Sequence, residues 1–480
     1  MTLRSRIPSR RRAIGIQVIR DCNLLRSHPR CLVAAWGRGN CGADGGSRDW
    51  QPGEPGAIAF TAAAPSRWRW CRLVVRATIG CVSRLAVSAC LVLAPLGGAE
   101  AQTTQRLDQG RIRLGPLRFT PSIALTNVGI DNNVFNDDVN PKQDTVAIVG
   151  PAADWWLKIG PSRLSGRTIG QYQYFDRYES QRMWNVGNEG KWEILGGRLT
   201  PFVEGTYANL RDRPNYEIDA RVQRRNESMS VGSALRLSSR TNIVASAHRA
   251  RLGFADNATF RARNLASALN HTTDFAHVEV RHELTSLTTF VANAEAVQDR
   301  FWSDALRDAD SIRVLPGFEM KPSALVGGSV FVGYRRFTPR NEAVPRYSGV
   351  IASVDARYNV WATQLAVRVD RDLAYSVSEL EPYYGLTNVG LRVTQRITRS
   401  WDVVGNGGWQ WLQYHHLLSN PLAFERTDRT GQYGTGLGYR VGRTFRLGFD
   451  ATYFERRSQI IGPSYKALRA GASLTYGSLQ

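Results

Sequence analysis

Beyond residue 90 the sequence contains no cysteine. All six (Cys22, Cys31, Cys41, Cys71, Cys81, Cys90) fall in the first fifth of a 480-residue chain. The remainder therefore has no disulfide framework, no thiolate metal site and no thiol nucleophile. Long apolar runs are missing too. Nothing after residue 101 approaches the 18 consecutive apolar residues of a membrane helix. Neither a His-Glu-x-x-His zinc motif nor a Gly-x-Ser-x-Gly nucleophile turn occurs, although seven histidines are present. His271, His277, His282 and the pair His415-His416 are the positions where catalysis would be sought.

The first hundred residues read differently from the rest. Residues 1–81 are Arg-rich and irregular, and read as a mis-called start or a disordered extension. Residues 82–101 read as a secretory signal: Val82-Ser83-Arg84, an apolar run Leu85–Leu96, then Ala99-Glu100-Ala101 before Gln102. That run is too short to cross a bilayer as a helix, which takes roughly 20 residues. The formal charge of +21 shrinks once this region is set aside, because residues 102–480 hold 47 basic against 36 acidic side chains. Dispersed along an exported chain, that surplus does not point to nucleic acid.

What is present is a rhythm. From residue 117 onward, strands of alternating apolar and polar residues are joined in turn by short and long polar connections. One parity of the late chain reads Phe445, Leu447, Phe449, Ala451, Tyr453; the other reads Thr444, Arg446, Gly448, Asp450, Thr452. A strand turns successive side chains to opposite faces, so the first set faces lipid and the second an aqueous interior. The neighbouring segments agree, with Tyr433, Leu437, Tyr439 and Val441, and then Leu468, Ala470, Ala472 and Leu474, on the apolar parity.

Short turns are expected near residues 160–162, 196–197, 238–240, 285–286, 321–323, 359–360, 398–400 and 442–443. Longer loops fall near 129–143, 177–182, 212–218, 255–261, 301–309, 338–345, 376–381, 417–424 and 458–463. Nine loops and eight turns give an all-β, transmembrane antiparallel β-barrel of eighteen strands over residues 117–480, with sixteen as the alternative. Short turns belong to the periplasmic rim and long loops to the outside. Closure follows because an open sheet edge in hydrocarbon leaves backbone groups unpaired. Residues 102–116 become a short periplasmic segment, with no room for a plug. Trp155, Trp156, Tyr172, Tyr174, Trp184, Trp192, Tyr334, Tyr383, Tyr384, Trp409 and Trp411 are expected as interfacial girdles.

The stretch Val128-Gly129-Ile130-Asp131-Asn132-Asn133-Val134-Phe135 resembles one that follows the first strand in a family of outer-membrane β-barrel porins encoded with exopolysaccharide and exosortase-linked systems. The resemblance implies an outer-membrane barrel serving as a pore or in polysaccharide export, and no catalytic residues. The C-terminal Tyr476-Gly477-Ser478-Leu479-Gln480 departs from the terminal Phe of many such barrels.

Parity then nominates the lumen. Arg167, Arg335, Arg368, Arg392, Arg440, Arg446 and Arg469 are its basic candidates; Glu189, Glu204, Glu279, Asp355, Asp370 and Asp450 are interleaved acids. Rings of basic side chains select anions, while the same charges paired across strands merely brace a wall. The Asp/Asn-rich segment 131–144 lacks EF-hand spacing and reads as a solvated loop, not a Ca2+ site. The sequence thus describes a non-enzymatic porin-like channel or polysaccharide conduit of the bacterial outer membrane, without cofactor. Its expected partners are outer-membrane lipid, the barrel assembly machinery, and anionic solutes or polysaccharide. A closed structural or adhesive barrel, and less so a barrel-based hydrolase, are the alternatives.

Overall fold

Period-two alternation over 12 to 16 residues, repeated with turn-forming breaks, produces an unbroken succession of antiparallel strands. The computed structural model describes residues 112–477 except 323, 420–424, 443 and 461, so the extension and signal expected over 1–101 lie outside the described residues. Eighteen long strands form the wall. The first six are β1 (Leu117–Asp131), β2 (Asp144–Ile159), β3 (Ser162–Phe175), β4 (Met183–Ile194), β5 (Leu199–Asp212) and β6 (Val222–Arg236). Next come β7 (Thr241–Phe254), β8 (His271–Glu283), β9 (Thr288–Phe301), β10 (Ala309–Met320), β11 (Val326–Pro339) and β12 (Tyr347–Val360). The last are β13 (Thr363–Tyr375), β14 (Tyr383–Arg396), β15 (Trp401–His415), β16 (Thr427–Val441), β17 (Phe445–Arg457) and β18 (Tyr465–Tyr476). Each pairs with its sequence neighbours, and β18 pairs back onto β1, so the sheet closes at eighteen strands.

The seam between β1 and β18 has its own chemistry. Asn127, at a φ of 52°, sits in a β-bulge where the register against both neighbours shifts. A bulge inserts one residue and reverses the parity beyond it, so even positions up to Thr126, and then Gly129 and Asp131, share the inner face. Gly129 lies opposite Gly471, and a Cβ at Gly129 would meet the Ala470 carbonyl oxygen at 2.1 Å. Below the point where β18 ends, Ile112–Leu114 pairs with Leu117–Phe119 and continues the edge.

Eight short turns stand at one rim and nine longer loops at the other, as the sequence pattern indicates. The turn expected at 359–360 is shifted: β12 runs to Val360 and the chain reverses at Trp361-Ala362. The first loop likewise starts after Asp131, since β1 runs through residues 129–131. Outward parity is borne out at Phe445, Leu447, Phe449, Leu437, Tyr439 and Leu468, all exposed. The girdle expectation holds for Trp184, Trp192, Tyr334 and Trp409, which are exposed, but fails for three aromatics. Trp156, Tyr383 and Tyr384 are buried, the first on inward parity and the tyrosines in clusters that include loop residues. Among the described residues no helix is long and apolar enough to cross a membrane. Among the described residues the one α-helix, α1 (Leu265–Leu269), belongs to the fourth loop, where Asn264 caps it by accepting from the Ser267 amide.

Candidate functional site: the lumen and the loop that crosses it

An eighteen-stranded barrel is wide enough to leave an aqueous channel unless loops fill it. The third loop, residues 213–221 between β5 and β6, does part of that filling. Asn215 Oδ1 accepts from the Glu217 and Ile218 amides at 2.9 and 2.7 Å, turning the loop inward. Ile218 is fully buried against Phe254, Leu265 and Phe301, so α1 of the fourth loop packs under it. Tyr216 reaches Tyr384, Leu412 and Tyr414 on β14 and β15, half the circumference away from the strands that carry the loop.

Polar contacts fasten the far end. The Glu217 carboxylate accepts from Ser376 Oγ at 2.7 Å and from the Val377 amide at 3.1 Å, both in the seventh loop. Arg456 of β17 donates to the Glu217 carbonyl at 2.9 Å and to Asp219 at 3.2 Å. Arg456 also binds Asp428 at 2.8 Å, and Asp428 receives Arg426, which in turn holds Glu381 at 2.6 Å. Arg426 stacks 3.8 Å above the Tyr414 ring. At the near end, Arg213 and Arg221 both donate to the Val134 carbonyl of the first loop, at 2.8 and 2.7 Å. The third loop is therefore a bridge across the outer end of the lumen, anchored at both abutments.

Burial sets the electrostatics of this bridge. It pushes the Glu217 carboxyl above its ordinary range, against hydrogen bonds from Ser376 and Val377 and the fields of Arg456 and Arg426. It raises Asp219 as well, opposed by Arg456 and Arg213. Arg213 is lowered to about 10, by burial first and then by Arg469. Arg426 is buried too, but its hydrogen bond to Asp428 leads a set of interactions that raise it overall.

Lower down, the wall charges are organised in triads that reach beyond adjacent strands. Asp372 joins Arg313 and Arg335, both at 2.7 Å. Asp402, fully buried, lies between Arg440 at 2.5 Å and Arg446 at 2.7 Å. Arg281 lies between Glu279 and Glu319. Contacts that skip a strand require the inner face, where side chains converge.

The residues nominated from parity can now be placed. Arg335, Arg440 and Arg446 sit in those triads, and Arg469 binds Asp131 at 2.7 Å. Asp450 accepts from Ser473, and Glu279 is held by Arg281. Arg167 stands 3.6 Å from Asp154, with Glu189 opposite it in the register and Glu204 opposite Lys191. Arg368 is looser, at 3.8 Å from Asp355 and 3.6 Å from Asp370, with 48% of its side chain exposed. Arg392 pairs in register with Ala366, on the same inner row as Arg368.

The bridge residues Arg213, Glu217, Asp219, Arg221 and Arg456 are not among the nominated positions. Glu217 meets Ser376 across 159 residues of sequence, a separation that strand periodicity does not encode. The only signal was the density of alternating charge in residues 211–221. The segment 131–144 is also more than a solvated loop: Asp131 and Asn133 are buried, and Asn133 donates to Asp137 and Lys466 carbonyls at 2.7 and 2.9 Å. Among the described residues no His, Cys, Asp and Glu cluster is arranged to hold a metal ion.

Residues 299–477, from the end of β9 through β18, match the model of the family described as Putative beta-barrel porin 2. Over those residues the chain is similar to that porin family. The resemblance drawn from Val128–Phe135 is thereby borne out on a different stretch of the chain. No curated protein matches. Among solved structures it is similar to the outer-membrane protein opdK of Pseudomonas aeruginosa, at 7% identity over 76% of this chain and 99% of that one, with a TM-score of 0.43. A BenF-like porin from Pseudomonas fluorescens Pf-5 gives 8%, 76%, 99% and 0.43. The siderophore receptor PirA of P. aeruginosa gives 10%, 77%, 81% and 0.38.

Proposed function

We propose that this porin-like barrel is a passive channel for small polar solutes, constricted by the third loop and favouring anions. The observation that carries the reading is the bridge itself: a closed eighteen-strand wall with a charged interior, crossed by an anchored loop at one end. Arg357, Arg368 and Arg392 share the inner rows of β12 to β14 with Asp355 and Asp370, a surplus of one positive charge. Glu189 and Glu204 stand on β4 and β5 opposite Arg167 and Lys191 and beside Asp154, a surplus of one negative charge about half the barrel away. Opposed rows of charge orient a dipolar solute and exclude apolar ones. A polysaccharide conduit would need the bridge to swing aside, because a polymer must thread the lumen continuously, whereas a small solute passes beside it.

Single-channel recording of protein purified from outer membranes tests this. The expected result is steady conductance with an anion-selective reversal potential, and Arg368→Glu shifts that potential towards cations. A folded barrel that stays silent at every voltage overturns the channel reading in favour of a closed barrel working through its loops.

A further inference from the structure

The outer wall is not uniform around its circumference. Three to six residues in from the loop end, β16, β17 and β18 present Tyr433, Tyr453 and Leu468 to the outside, as a lipid interface expects. One to five residues in from their own loop ends, β6 to β11 present a longer run of charge, whereas β16 to β18 carry only Arg429, Arg457, Glu455 and Lys466 beside the loops. Cross-strand registers align two outward rows there: Glu227, Arg251, Thr272, Arg300, and Arg249, Asp274, Gln298, Asp310, Thr338. Arg225 and Arg336 flank them on the same outer face, and Arg340 follows in the sixth loop. Six guanidinium groups thus face three carboxylates. Arg249 binds Asp274 at 2.7 Å and Arg300 binds Asp310, yet Arg249 keeps 61% of its side chain exposed, and Arg251 and Arg336 are exposed as well.

Directly below runs a row of small side chains, Ala247, Ala276 and Ala296, ending at Ile312 and Arg336. Two adjoining clefts of about 640 and 540 Å3 open over this floor, and their rims include Asp274, Arg249, Arg251 and Arg336. A cationic rim at headgroup height above an apolar trough matches an amphiphile with an anionic head and acyl tails. Guanidinium forks suit phosphate oxygens in particular.

We propose that this sector of the outer wall binds an outer-leaflet lipid bearing a phosphorylated headgroup, with its phosphate at Arg249 and Arg251 on β7, an acyl chain over the alanine row, and Arg336 at the far end of that row, four strands or roughly 19 Å away. A second copy of the chain fits less well. Outward acids on the described strands are confined to Glu227, Asp274 and Asp310 within this sector and Glu455 elsewhere, so no other sector offers the complementary charge.

The test uses the full protein purified from membranes in a nonionic detergent, with bound lipid counted by native mass spectrometry. The probes are dioctanoyl phosphatidic acid, dioctanoyl phosphatidylcholine and inorganic phosphate. Retention of phosphatidic acid above phosphatidylcholine, with no retained phosphate, is expected. Arg249→Gln/Arg251→Gln/Arg336→Gln should weaken retention by about tenfold or more, since each basic side chain near a membrane surface adds to anionic-lipid attraction. Arg429→Gln/Arg457→Gln, on the opposite wall, should leave it unchanged. If the triple variant does not fold, Asp274→Asn/Asp310→Asn should increase retention. Equal binding of the two lipids, no loss in the triple variant, no gain in the Asp variant, or a dimer abolished by the same arginine changes would overturn the proposal.

Discussion

Glu217 is the residue on which the bridge can be made to move. Its carboxylate accepts two hydrogen bonds from the seventh loop, and hydrogen bonds to a charged group contribute about 1.5–3 kcal/mol each. Against that stands the cost of burying the charge, which raises the carboxyl above its ordinary range. Glu217→Ala removes both terms and leaves Ser376 and Val377 without their acceptor, a net loss of about 2 kcal/mol. At about 1.4 kcal/mol per decade the detached population of the loop rises roughly thirtyfold.

The sign with pH follows from the raised value. A proton binds more tightly to Glu217 in the anchored loop than in a solvated one, so protonation favours anchoring. The anchored state is most stable below the solvated glutamate range near about 4.3, and weakens as pH rises through the raised value. Asp219, also raised by burial, acts in the same direction. Arg456, Arg426, Arg213 and Arg307 stay cationic, Arg307 donating to the Ser376 and Ser378 carbonyls, and Asp428, Glu381, His416 and Tyr414 are further titratable groups around the anchor. Open-channel noise from loop motion should therefore be low in acid and grow towards neutral pH. Glu217→Gln, a permanent stand-in for the protonated form, should stay quiet throughout, and Glu217→Ala should be noisy at every pH. A Glu217→Gln channel with the wild-type pH profile, or a Glu217→Ala channel indistinguishable from wild type, would refute the bridge.

Other perturbations separate wall from lumen. Asp402→Ala leaves Arg440 and Arg446 facing each other with no counter-charge, and breaking such a buried arrangement costs about 3–5 kcal/mol; the heat-modifiable gel shift should move to lower temperature, and an unchanged shift would deny the triad its bracing role. Ala451 lies at the centre of β17 on its outer face, whereas Leu447 is two residues from the periplasmic end. Ala451→Arg should therefore cost about 2–4 kcal/mol of folding stability and Leu447→Arg only about 0–1, read by urea titration in lipid vesicles; equal costs would show that the membrane plane has been misplaced.

Alternation made the wall legible because every strand obeys the same two-sided solvent rule. Phe445 through Tyr453 can be assigned a face without knowing any other strand, and turn and loop positions then follow by elimination. That logic stops where side chains answer to partners distant in sequence. Tyr383 and Tyr384 carry the composition of an interfacial girdle, but the loops descend onto both, so an aromatic at a strand end is ambiguous until the loop is placed. The same holds for Arg335 and Arg446, whose parity was readable while their engagement with Asp372 and Asp402 was not. Parity assigns a face and says nothing about which charges remain available to a solute.

The segment Val128–Phe135 shows how a short stretch can matter to both closure and constriction. The bulge at Asn127 turns Gly129 and Asp131 inward, and the absent Cβ of Gly129 lets β1 approach β18 opposite Gly471. Asp131 then binds Arg469, and Asn132 pairs with Leu468 through its amide and its side chain. Asn133 ties the loop to Lys466, and the next carbonyl, that of Val134, receives Arg213 and Arg221 from the base of the bridge. Six consecutive residues thus join the first strand to the last and fix one abutment of the third loop. A barrel whose seam opened there would lose the footing of its constriction at the same time, so closing the wall and positioning the bridge are one structural event.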